Sequence, residues 1–451
     1  MSVKRIKSIV FLTGAAICML AGCAQPGRLE CNYGVTDITP DEPVLLAGFA
    51  ARKGLSDGVH RPLKTHCLVL RKDSVRVCII TNDMMEISPD FAGELRREIS
   101  GETGIPYNRI FIHNTHTHSA PRTGGASTDP GGSNAAYKQK FAEAVVESAV
   151  RTASDTKGFR PFAIEWGKGR SDINCNRRED AGPIDHDLYA VRLVDKKGRV
   201  IVSLLNFACH PVSLNHRSLL VSTDFPGIAA EELGKAWGGP VFYFSGAAGN
   251  VDPCGPLRAD TAYTQQRGHQ LAEAALEIEF HKLPRKDVLT VRNREVRLPY
   301  SIAEVTAKAV NAHADEIRQQ TSVSATWPVD VEGWRELILE RIAAGEVRNY
   351  LPVEIAAVDM GGLVLLFSQG EPFNEYQTAA RESLPSTPVL FIAYTNGQNS
   401  YLPSAHAYRS KGYIYEKEQM HVYIKAPYPL SDAMPEVYES AVKEILKEVM
   451  S

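Results

Sequence analysis

The stretch RIFIHNTHTHSAP, residues 109–121, joins an apolar run to a histidine-rich end. The apolar half is typical of a buried β-strand. His116 and His118 follow it, separated by one residue, so that in an extended segment both imidazoles would point to the same side. Polar side chains that leave the end of a buried strand commonly build binding or catalytic sites. The stretch therefore predicts a strand that delivers two imidazoles to a loop.

Strand-like and helix-like segments alternate on both sides of this stretch. Before it, the runs VLLAGFA, CLVLR and VCIITND predict strands at 44–50, 67–71 and 77–83, because each is apolar and bounded by turn-forming residues. After it, helical spacing begins at about Tyr137, and further strands follow around YAVRLV and VIVSLLNFACH. Several neighbouring strands are joined by links too short for a crossover helix. We therefore expect an α/β fold, a layered domain with mixed β-sheets and flanking helices.

The first 22 residues are expected to be an export signal and not part of the fold. A basic start, MSVKRIK, precedes an apolar stretch that ends in LAGC at residues 20–23, similar to the bacterial lipobox. The apolar stretch is shorter than the ~20 residues that a helix needs to cross a bilayer. We predict a signal peptide over 1–22, a lipid on Cys23, a tether over 23–32 and anchoring to the bacterial outer membrane.

Residues 33–451 are expected to form one domain, since no Pro/Ser-rich linker or internal repeat divides them. Within this body, residues 301–350 are helix-rich and only weakly apolar, which predicts a helical insertion before the sheet resumes at VEIAAVDMGG. The net charge of −3 is small for 451 residues, and no basic run follows the N-terminus. Nucleic acid is therefore not expected as a partner.

The cysteines predict neither a disulfide framework nor a cysteine metal site. Export permits disulfides, but the spacing of the cysteines gives no pattern and no C-x-x-C occurs. Cys67 and Cys78 lie in apolar strand-like runs, where a buried free thiol is the common outcome. We therefore assign no bridge.

A metal site is the chemistry that the sequence favours. His210 ends the apolar run VSLLNFACH, and Glu371 ends LVLLFSQGE, each before a proline. Two histidines and one carboxylate from separate strand ends form a ligand set of catalytic zinc, which leaves a position open for water. His116, His210 and Glu371 are therefore the candidate ligands. H-E-x-x-H, G-x-G-x-x-G and P-loop motifs do not occur in the sequence.

Several separated motifs resemble the neutral/alkaline non-lysosomal ceramidase family. In chain order they are THTHS, N-x-N-R, a strand-end histidine followed by S-x-D and G, A-G-x-V-x-P, G-E and a tyrosine-rich G-Y. They extend from about Tyr33 to Glu416. The resemblance implies the fold of that family's catalytic domain and one Zn²⁺ ion bound by His116, His210, Glu371 and Tyr401.

The resemblance also implies further site residues. His118 matches a histidine beside the metal, and Arg177 in NCNRR matches an arginine that would hold a carbonyl or an oxyanion. Tyr413 matches a second active-site tyrosine, with Tyr415 as the alternative register. Two other residues have open roles: Asp224 would cap a helix or support a ligand histidine, and His60 would lie near the site or be structural.

The chain departs from the family pattern at one position, where the family has the serine of its motif GDVSP. This chain has Gly249-Asn250-Val251-Asp252-Pro253 there. A carboxylate cannot replace a serine unchanged, but Asp252 beside a metal could serve as general base for water. Since few residues follow Glu416, we expect the fold to lack the C-terminal β-sandwich of full-length ceramidases.

The resulting hypothesis is a zinc-dependent amidohydrolase that cleaves the amide bond of an N-acyl sphingoid lipid. In this hypothesis Asp252 or His118 transfers the proton of the attacking water, and Arg177 stabilises the oxyanion. One alternative keeps the zinc and changes the substrate to an acylated sugar, cleaved by esterase or deacetylase chemistry. Another is a non-catalytic surface lipoprotein that binds glycan or lipid.

Overall fold

The structure is a computed structural model that describes residues 27–123, 134–284, 286–319 and 330–451. The predicted signal peptide and the lipid on Cys23 lie outside this range. Within it, no helix combines the length and the apolar character needed to cross a membrane.

The first sheet is built from the N-terminal third of the chain. Its strands are β1 Glu30–Asp37, β3 Lys64–Lys72, β4 Val75–Asn82, β5 Ile110–Asn114 and β6 Arg160–Pro161. Their spatial order is β5-β4-β3-β1-β6, with β4 and β5 parallel and the other pairs antiparallel. β3, β4 and β5 contain long buried apolar runs, as the sequence predicts.

The predicted strand at 44–50 is wrong. This segment pairs with the loop after β5 instead, because Ala47 N–H donates to the Ala120 carbonyl at 2.8 Å and Arg122 N–H donates to the Leu45 carbonyl at 2.9 Å. Gly48 has a φ of +98°, which ends any extended conformation. The run is apolar because it packs under the candidate site.

The second and third sheets repeat this mixed pattern. The strands of the second sheet are β7 Ala163–Arg170, β9 Asp187–Val194, β10 Val200–Phe207, β12 Val241–Ser245 and β14 His281–Lys282, and their spatial order is β12-β10-β9-β7-β14. The strands of the third sheet are β15 Thr290–Pro299, β16 Tyr350–Asp359, β17 Val364–Ser368 and β19 Val389–Ile392, in the order β15-β16-β17-β19. In each sheet only the pair at one edge is parallel: β10 with β12, and β17 with β19.

Three short strand pairs lie outside these sheets and position the candidate site. They are β2 Gly58–Val59 with β11 Leu220–Val221, β8 Asn174–Asn176 with β13 Val251–Pro253, and β18 Glu371–Pro372 with β20 Tyr401–Leu402.

The helices cover the outer faces of the sheets. They are α1 Pro89–Thr103, α2 Ala135–Ser154, α3 Asp224–Trp237, α4 Thr261–Leu276, α5 Ala307–Gln319, α6 Val331–Ala343, α7 Asn374–Ser383, α8 Ala405–Arg409, α9 Met420–Tyr423 and α10 Met434–Met450. α1 and α2 pack on the first sheet, α3 and α4 on the second, and α7 and α10 on the third. A 3-10 turn at Tyr107–Arg109 and a π-helical turn at Tyr415–Gln419 complete the helical segments of the described chain.

The inner faces of the three sheets share one apolar core, in which Phe111 of β5 stacks on Phe367 of β17 at a centroid distance of 4.4 Å. Burial of this apolar surface is the main stabilising contribution to such a layered fold. The predicted α/β fold with mixed sheets and flanking helices is confirmed.

The helices α5 and α6 lie between two strands that are neighbours in the third sheet. β15 and β16 pair antiparallel, with Pro299 opposite Tyr350. The chain therefore leaves the sheet after Pro299 and returns beside it. The described residues between these points carry α5 and α6, whose buried side chains, among them Val310 and Trp334, belong to the same apolar cluster as Val353 of β16. We call residues 301–350, the boundaries predicted from the sequence, the helical insertion.

Candidate metal centre

Two histidines and a glutamate meet where three loops leave three different sheets. His116 follows β5, His210 follows β10 and Glu371 follows β17. His116 Nε2 lies 3.5 Å and His210 Nε2 lies 3.0 Å from Glu371 Oε2. All three side chains are nearly fully buried. The structure therefore brings together the three ligands predicted from the residues alone.

The His-x-His pair does not converge in the way that the sequence suggests. His116 has a φ of +68°, so the segment is not extended there. The imidazole rings of His116 and His118 nevertheless lie 5.0 Å apart, and that of His210 lies 4.8 Å from His116. Ring nitrogens of these three histidines all lie within 4.8 Å of one another, a cluster that could hold a metal ion.

Backbone carbonyls fix the tautomers of two histidines. His116 Nδ1 lies 2.9 Å from the Met85 carbonyl, and His210 Nδ1 lies 2.7 Å from the Ala248 carbonyl. A carbonyl only accepts, so each Nδ1 carries the proton and each Nε2 presents a lone pair. Such carbonyl partners are typical of metal-bound histidines, because they orient the ring.

The glutamate is oriented in the same way. Gln398 Nε2 donates to Glu371 Oε1 at 2.5 Å, which leaves Oε2 facing the two histidines. His116 Nε2, His210 Nε2 and Glu371 Oε2 are buried and lack a hydrogen-bond partner. Buried polar atoms without partners are costly in a folded protein unless a ligand satisfies them. The donor set of two imidazoles and one carboxylate fits a divalent transition metal such as zinc.

Burial controls the charge of these groups. Burial lowers the pKa of His116 to about 4, although Glu371 opposes the shift. Burial opposes ionisation of Glu371, but His116, His210 and Arg177 together hold its pKa below the usual range. The carboxylate is therefore ionised and the His116 imidazole neutral near pH 7, which are the protonation states that bind a metal.

His118 lies beside this trio with both ring nitrogens buried and unpartnered. The ring packs edge-on against Phe49 at 5.2 Å, and a Cβ at position 48 would approach the His118 ring to 2.4 Å. Gly48 is therefore required both for its positive φ and for this close contact. Burial lowers the pKa of His118 well below its usual value, so the ring is neutral and available as an acceptor or donor.

Arg177 and Tyr401 form the opposite wall. β18 and β20 pair in parallel, which places Tyr401 beside Glu371. Arg177 Nη1 donates to the Tyr401 hydroxyl at 3.3 Å, and the guanidinium lies over the phenol ring at 4.9 Å. Arg177 Nη2 donates to Glu416 Oε1 at 2.9 Å. Burial opposes the charge of Arg177, but Tyr401, Glu416 and Asp252 raise its pKa, so the group stays cationic.

A disulfide that the sequence analysis does not assign supports this wall. Cys175 on β8 is bonded to Cys254, which directly follows β13, and Asp252 pairs with Cys175 in the two-stranded sheet. Asp252 Oδ1 lies 3.8 Å from His210 Nδ1, and its side chain is 28% exposed. The pairing could not be read from the sequence because the two cysteines are 79 residues apart and share no motif. Cys67 and Cys78 are free and buried, as predicted.

Tyr413 is not among the residues that line the cavity at the metal centre. Its side chain is buried in the core against Phe373, and its hydroxyl donates to Asn176 Oδ1 at 2.8 Å. The position of Tyr413 in the chain matches the family motif. Its buried hydroxyl, however, bonds to Asn176 on β8 and is not part of the cavity lining. The Tyr415 side chain lies outside the described part of the structure. Tyr423, which the sequence analysis does not identify, lines the cavity instead.

His60 and Asp224 support the fold around the site. His60 Nδ1 lies 3.0 Å from Ser222 Oγ. Asp224 Oδ1 accepts from Phe225 N–H at 2.7 Å, and Oδ2 accepts from Leu214 N–H at 3.2 Å. Asp224 therefore ties the loop after His210 to the first residues of α3, but the residue that precedes the helix is Thr223 and no side chain caps it.

The cavity above these groups has a volume of about 190 Å³. Pockets that bury a drug-sized ligand usually span ~300–1,000 Å³, so this one encloses only the reacting group and its neighbours. Its lining combines charged and apolar side chains: Gly48, Phe49, Met85, Glu86, His116, His118, Arg177, Arg178, His210, Val212, Asp252, Leu257, Glu371, Gln398, Tyr401, Met420, Tyr423 and Ile424. Arg178, the neighbour of Arg177 in the chain, is part of this wall.

Comparisons with known proteins agree with the motifs. Residues 31–241 match the family described as neutral/alkaline non-lysosomal ceramidase, N-terminal. Neutral ceramidase A of Dictyostelium discoideum is 23% identical over 223 residues, covering 45% of this chain and 31% of that protein. The neutral ceramidase of Drosophila pseudoobscura pseudoobscura is 24% identical over 253 residues, 51% of this chain and 36% of that protein. The matched stretches thus span about a third of each relative.

Solved structures show that the fold is shared over most of the chain. Neutral ceramidase from Pseudomonas aeruginosa superposes with a TM-score of 0.68 at 17% identity, over 93% of this chain and 74% of that one. A ceramidase complexed with C2 gives a TM-score of 0.67 at 16% identity, over 93% and 75% of the two chains. The resemblance inferred from the motifs is confirmed.

Proposed function

We propose that the protein is a zinc-dependent amidohydrolase that cleaves the amide bond of an N-acyl sphingoid lipid, because residues 31–241 match the family described as neutral/alkaline non-lysosomal ceramidase, N-terminal. The observation that carries the proposal is the convergence of three buried, unpartnered atoms, His116 Nε2, His210 Nε2 and Glu371 Oε2, at the floor of a cavity. The family relationship and a solved relative in complex with C2 support the lipid substrate.

The metal would be held by His116, His210 and Glu371, with Tyr401 as the proposed fourth ligand. A bound zinc ion supplies a Lewis acid for the substrate carbonyl and lowers the pKa of water towards ~7. The role of the protein is to keep these donors dry, oriented and in the right protonation state. The carbonyl partners of both histidines and the Gln398 amide perform the orientation.

Proton transfer is assigned to Asp252, with His118 as the second candidate. Asp252 lines the cavity, and its side chain is 28% exposed, which gives its carboxylate access to both the cavity and solvent. A carboxylate at this position favours attack by water over a covalent route, since it can take the proton of the attacking water. It would then deliver the proton to the leaving amine.

Charge that develops on the carbonyl oxygen would be stabilised by Arg177. The side chain is only 13% exposed and is held between Tyr401 and Glu416. A cation that is already held in position, at a surface from which water is excluded, stabilises an oxyanion without having to reorganise during the reaction.

The small cavity favours a second candidate, an esterase or deacetylase of acylated sugars. The 190 Å³ space with Arg178 and Asp252 in its wall suits a compact polar substrate. A non-catalytic binding protein is the third reading. The predicted lipid on Cys23 would hold any of the three at a membrane surface.

The test is to express the chain from Ala24 onward, measure bound metal by elemental analysis, and assay fluorescent ceramide beside acylated sugars. His116→Ala tests the ligand set, and Asp252→Asn tests the proton transfer. We expect about one zinc per chain, lost in His116→Ala, and ceramide hydrolysis that Asp252→Asn lowers by roughly 10²–10⁴-fold with the metal retained. Zinc with turnover of sugars alone would move the assignment to the second candidate. Absence of metal would refute the mechanism.

A further inference from the structure

A second cavity lies along α3 and shares no lining residue with the cavity at the metal centre. Its volume is about 460 Å³, within the ~300–1,000 Å³ of pockets that enclose a small organic ligand. One wall is a face of α3 on which Gly227, Ala230 and Gly234 recur at helical spacing. Their small side chains leave the space beside the helix open. We call it the α3 cavity.

Another wall is one face of the first sheet, at the point where this face changes from apolar to polar. Leu68 of β3 pairs with Ile79 of β4, and both belong to the apolar core. Two residues away, on the same face, His66 pairs with Thr81, and both line the α3 cavity. Polar side chains beside a buried apolar face cost free energy unless they have hydrogen-bond partners.

Two polar atoms of the lining are buried and have no partner among the described residues. They are Thr115 Oγ1 and His66 Nδ1. Thr115 is 2% exposed; its N–H donates to the Asn82 carbonyl at 2.8 Å, and its carbonyl accepts from the Ser245 hydroxyl at 2.7 Å. The hydroxyl is therefore the polar group of Thr115 that remains for a ligand. In a native protein such a group calls for a bound molecule that completes its hydrogen bonds.

The rim of the α3 cavity carries an excess of positive charge. Arg61 Nη1 lies 2.6 Å and Lys235 Nζ lies 2.7 Å from the carboxylate of Glu231, so that one carboxylate serves two cations. The exposed Lys64 adds a third cation to the lining. A negatively charged group at the rim would therefore be attracted.

The interior of the α3 cavity does not oppose a negatively charged ligand below pH 7. Asp83 Oδ2 lies 4.0 Å from His66 Nε2 and accepts from Lys64 N–H at 2.9 Å. Burial raises the pKa of Asp83 to about 7 and lowers the pKa of His66 to about 3. At pH 6 both groups are therefore mainly uncharged, and each offers a hydrogen-bond donor and an acceptor.

We propose that the α3 cavity binds a small organic acid that also carries hydroxyl groups, of the size of an acidic monosaccharide. Its carboxylate would pair with Lys64 at the rim, and its hydroxyl groups would bond to Thr115 Oγ1 and His66 Nδ1. A hydroxyl group suits both atoms, because it can donate to one and accept from the other. This inference goes beyond the proposed amide hydrolysis and does not depend on it.

Two variants test the two ends of the ligand. Lys64→Gln removes the rim charge at an exposed position, and Thr115→Val removes the unpartnered hydroxyl without changing the shape of the side chain. Lys196→Gln, at an exposed position outside the lining, is the control for the charge. Ser148→Ala is the control for the hydroxyl, since Ser148 Oγ is also buried without a partner but lies on α2, outside the lining. Urea unfolding establishes that each variant is folded.

The measurement is calorimetric titration at pH 6 of the chain from Ala24 onward. The probes are D-glucuronate, D-galacturonate and D-gluconate, with D-glucose as the uncharged reference and acetate as the reference without hydroxyl groups. We expect at least one of the three acids to bind about tenfold or more tightly than either reference. Lys64→Gln should weaken this binding about three- to tenfold and Thr115→Val at least about threefold, whereas both controls should match the wild type. Absence of binding by all three acids, or unchanged binding in Lys64→Gln or in Thr115→Val, would overturn the proposal.

The metal centre is another place where a carboxylate could bind, and Glu371→Gln separates the two sites. Binding in the α3 cavity should persist in this variant, because Glu371 is not part of its lining. Binding that is lost in Glu371→Gln but kept in Lys64→Gln would place the acid at the metal centre and refute the assignment. The readout is binding and not turnover, so that a failure of the proposed hydrolysis leaves this test valid.

Discussion

His210 Nε2 lies 3.0 Å from Glu371 Oε2, and neither atom has a hydrogen-bond partner although both are buried. The Nδ1 proton of His210 is committed to the Ala248 carbonyl, so the Nε2 atom faces the carboxylate with a lone pair. Two acceptors at this distance repel each other unless a cation or a proton lies between them. This relationship is the strongest indication of a metal ion in the site.

Glu371→Gln should therefore abolish metal binding while keeping the shape of the side chain. We expect the affinity for zinc to fall by more than the roughly 10–100-fold that loss of an outer hydrogen-bond partner costs, because a ligand charge is removed. Competition with a chromophoric chelator measures this. Glu382→Gln, at an exposed position on α7, is the control and should match the wild type. Full zinc affinity in Glu371→Gln would exclude Glu371 as a ligand.

Gln398→Met tests whether orientation of the carboxylate matters. Methionine has a similar length but cannot donate to Glu371 Oε1, so the carboxylate would be free to rotate away from the histidines. We expect zinc affinity to fall about 10–100-fold with the ligands intact, as is usual for an outer partner of a metal ligand. Gln398→Glu should be worse near neutral pH, since it sets two carboxylates against each other. An unchanged affinity in the methionine variant would show that packing alone orients Glu371.

Much of this site could be predicted from the sequence, because its ligands follow apolar runs. The runs that end near His116, His210 and Glu371 predict buried strands, and a strand end fixes where a side chain emerges. Gln398 and Glu416 could not be found in this way. Gln398 lies in a loop and Glu416 in the π-helical turn, and only the folded chain brings them beside Glu371 and Arg177.

In the loop that carries Gly48, the sequence predicts a strand that the structure does not contain. Its apolar composition resembles a strand, yet the chain needs those residues to pack beneath His118. A positive φ is a property of one residue in its context, so the apolar character of the neighbouring residues does not reveal it. The disulfide between Cys175 and Cys254 is hidden for a related reason, since their proximity depends on the pairing of β8 with β13.

Removal of this disulfide should lower both stability and turnover. The bridge closes a loop of 79 residues, for which loop-closure entropy predicts a loss of about 4.5 kcal/mol in the free energy of unfolding. Urea unfolding of the Cys175→Ala/Cys254→Ala variant measures it, and reductant should shift the wild type but not the variant. Because Arg177 directly follows β8 and Asp252 lies on β13, kcat should fall as well. A variant as stable as the wild type would show that the two strands are held by packing alone.

Asp83, at the end of β4, gives a pH prediction that is independent of the metal. Its carboxylate is buried and accepts from Lys64 N–H at 2.9 Å, and burial raises its pKa to about 7. An unfolded chain loses this proton near pH 4. Between pH 4 and 7 the folded state therefore holds a proton that the unfolded state has released.

The free energy of unfolding should then decrease as the pH rises through this window, because the folded state binds more protons than the unfolded state there. Asp83→Asn keeps an acceptor for Lys64 N–H but cannot ionise, so it should remove this part of the pH dependence and be the more stable form above pH 7. Urea unfolding of metal-free protein at pH 5, 6, 7 and 8 measures the slope. Asp180→Asn, at an exposed position, should keep the slope of the wild type. If Asp83→Asn also keeps that slope, Asp83 is ionised in the folded protein throughout the window.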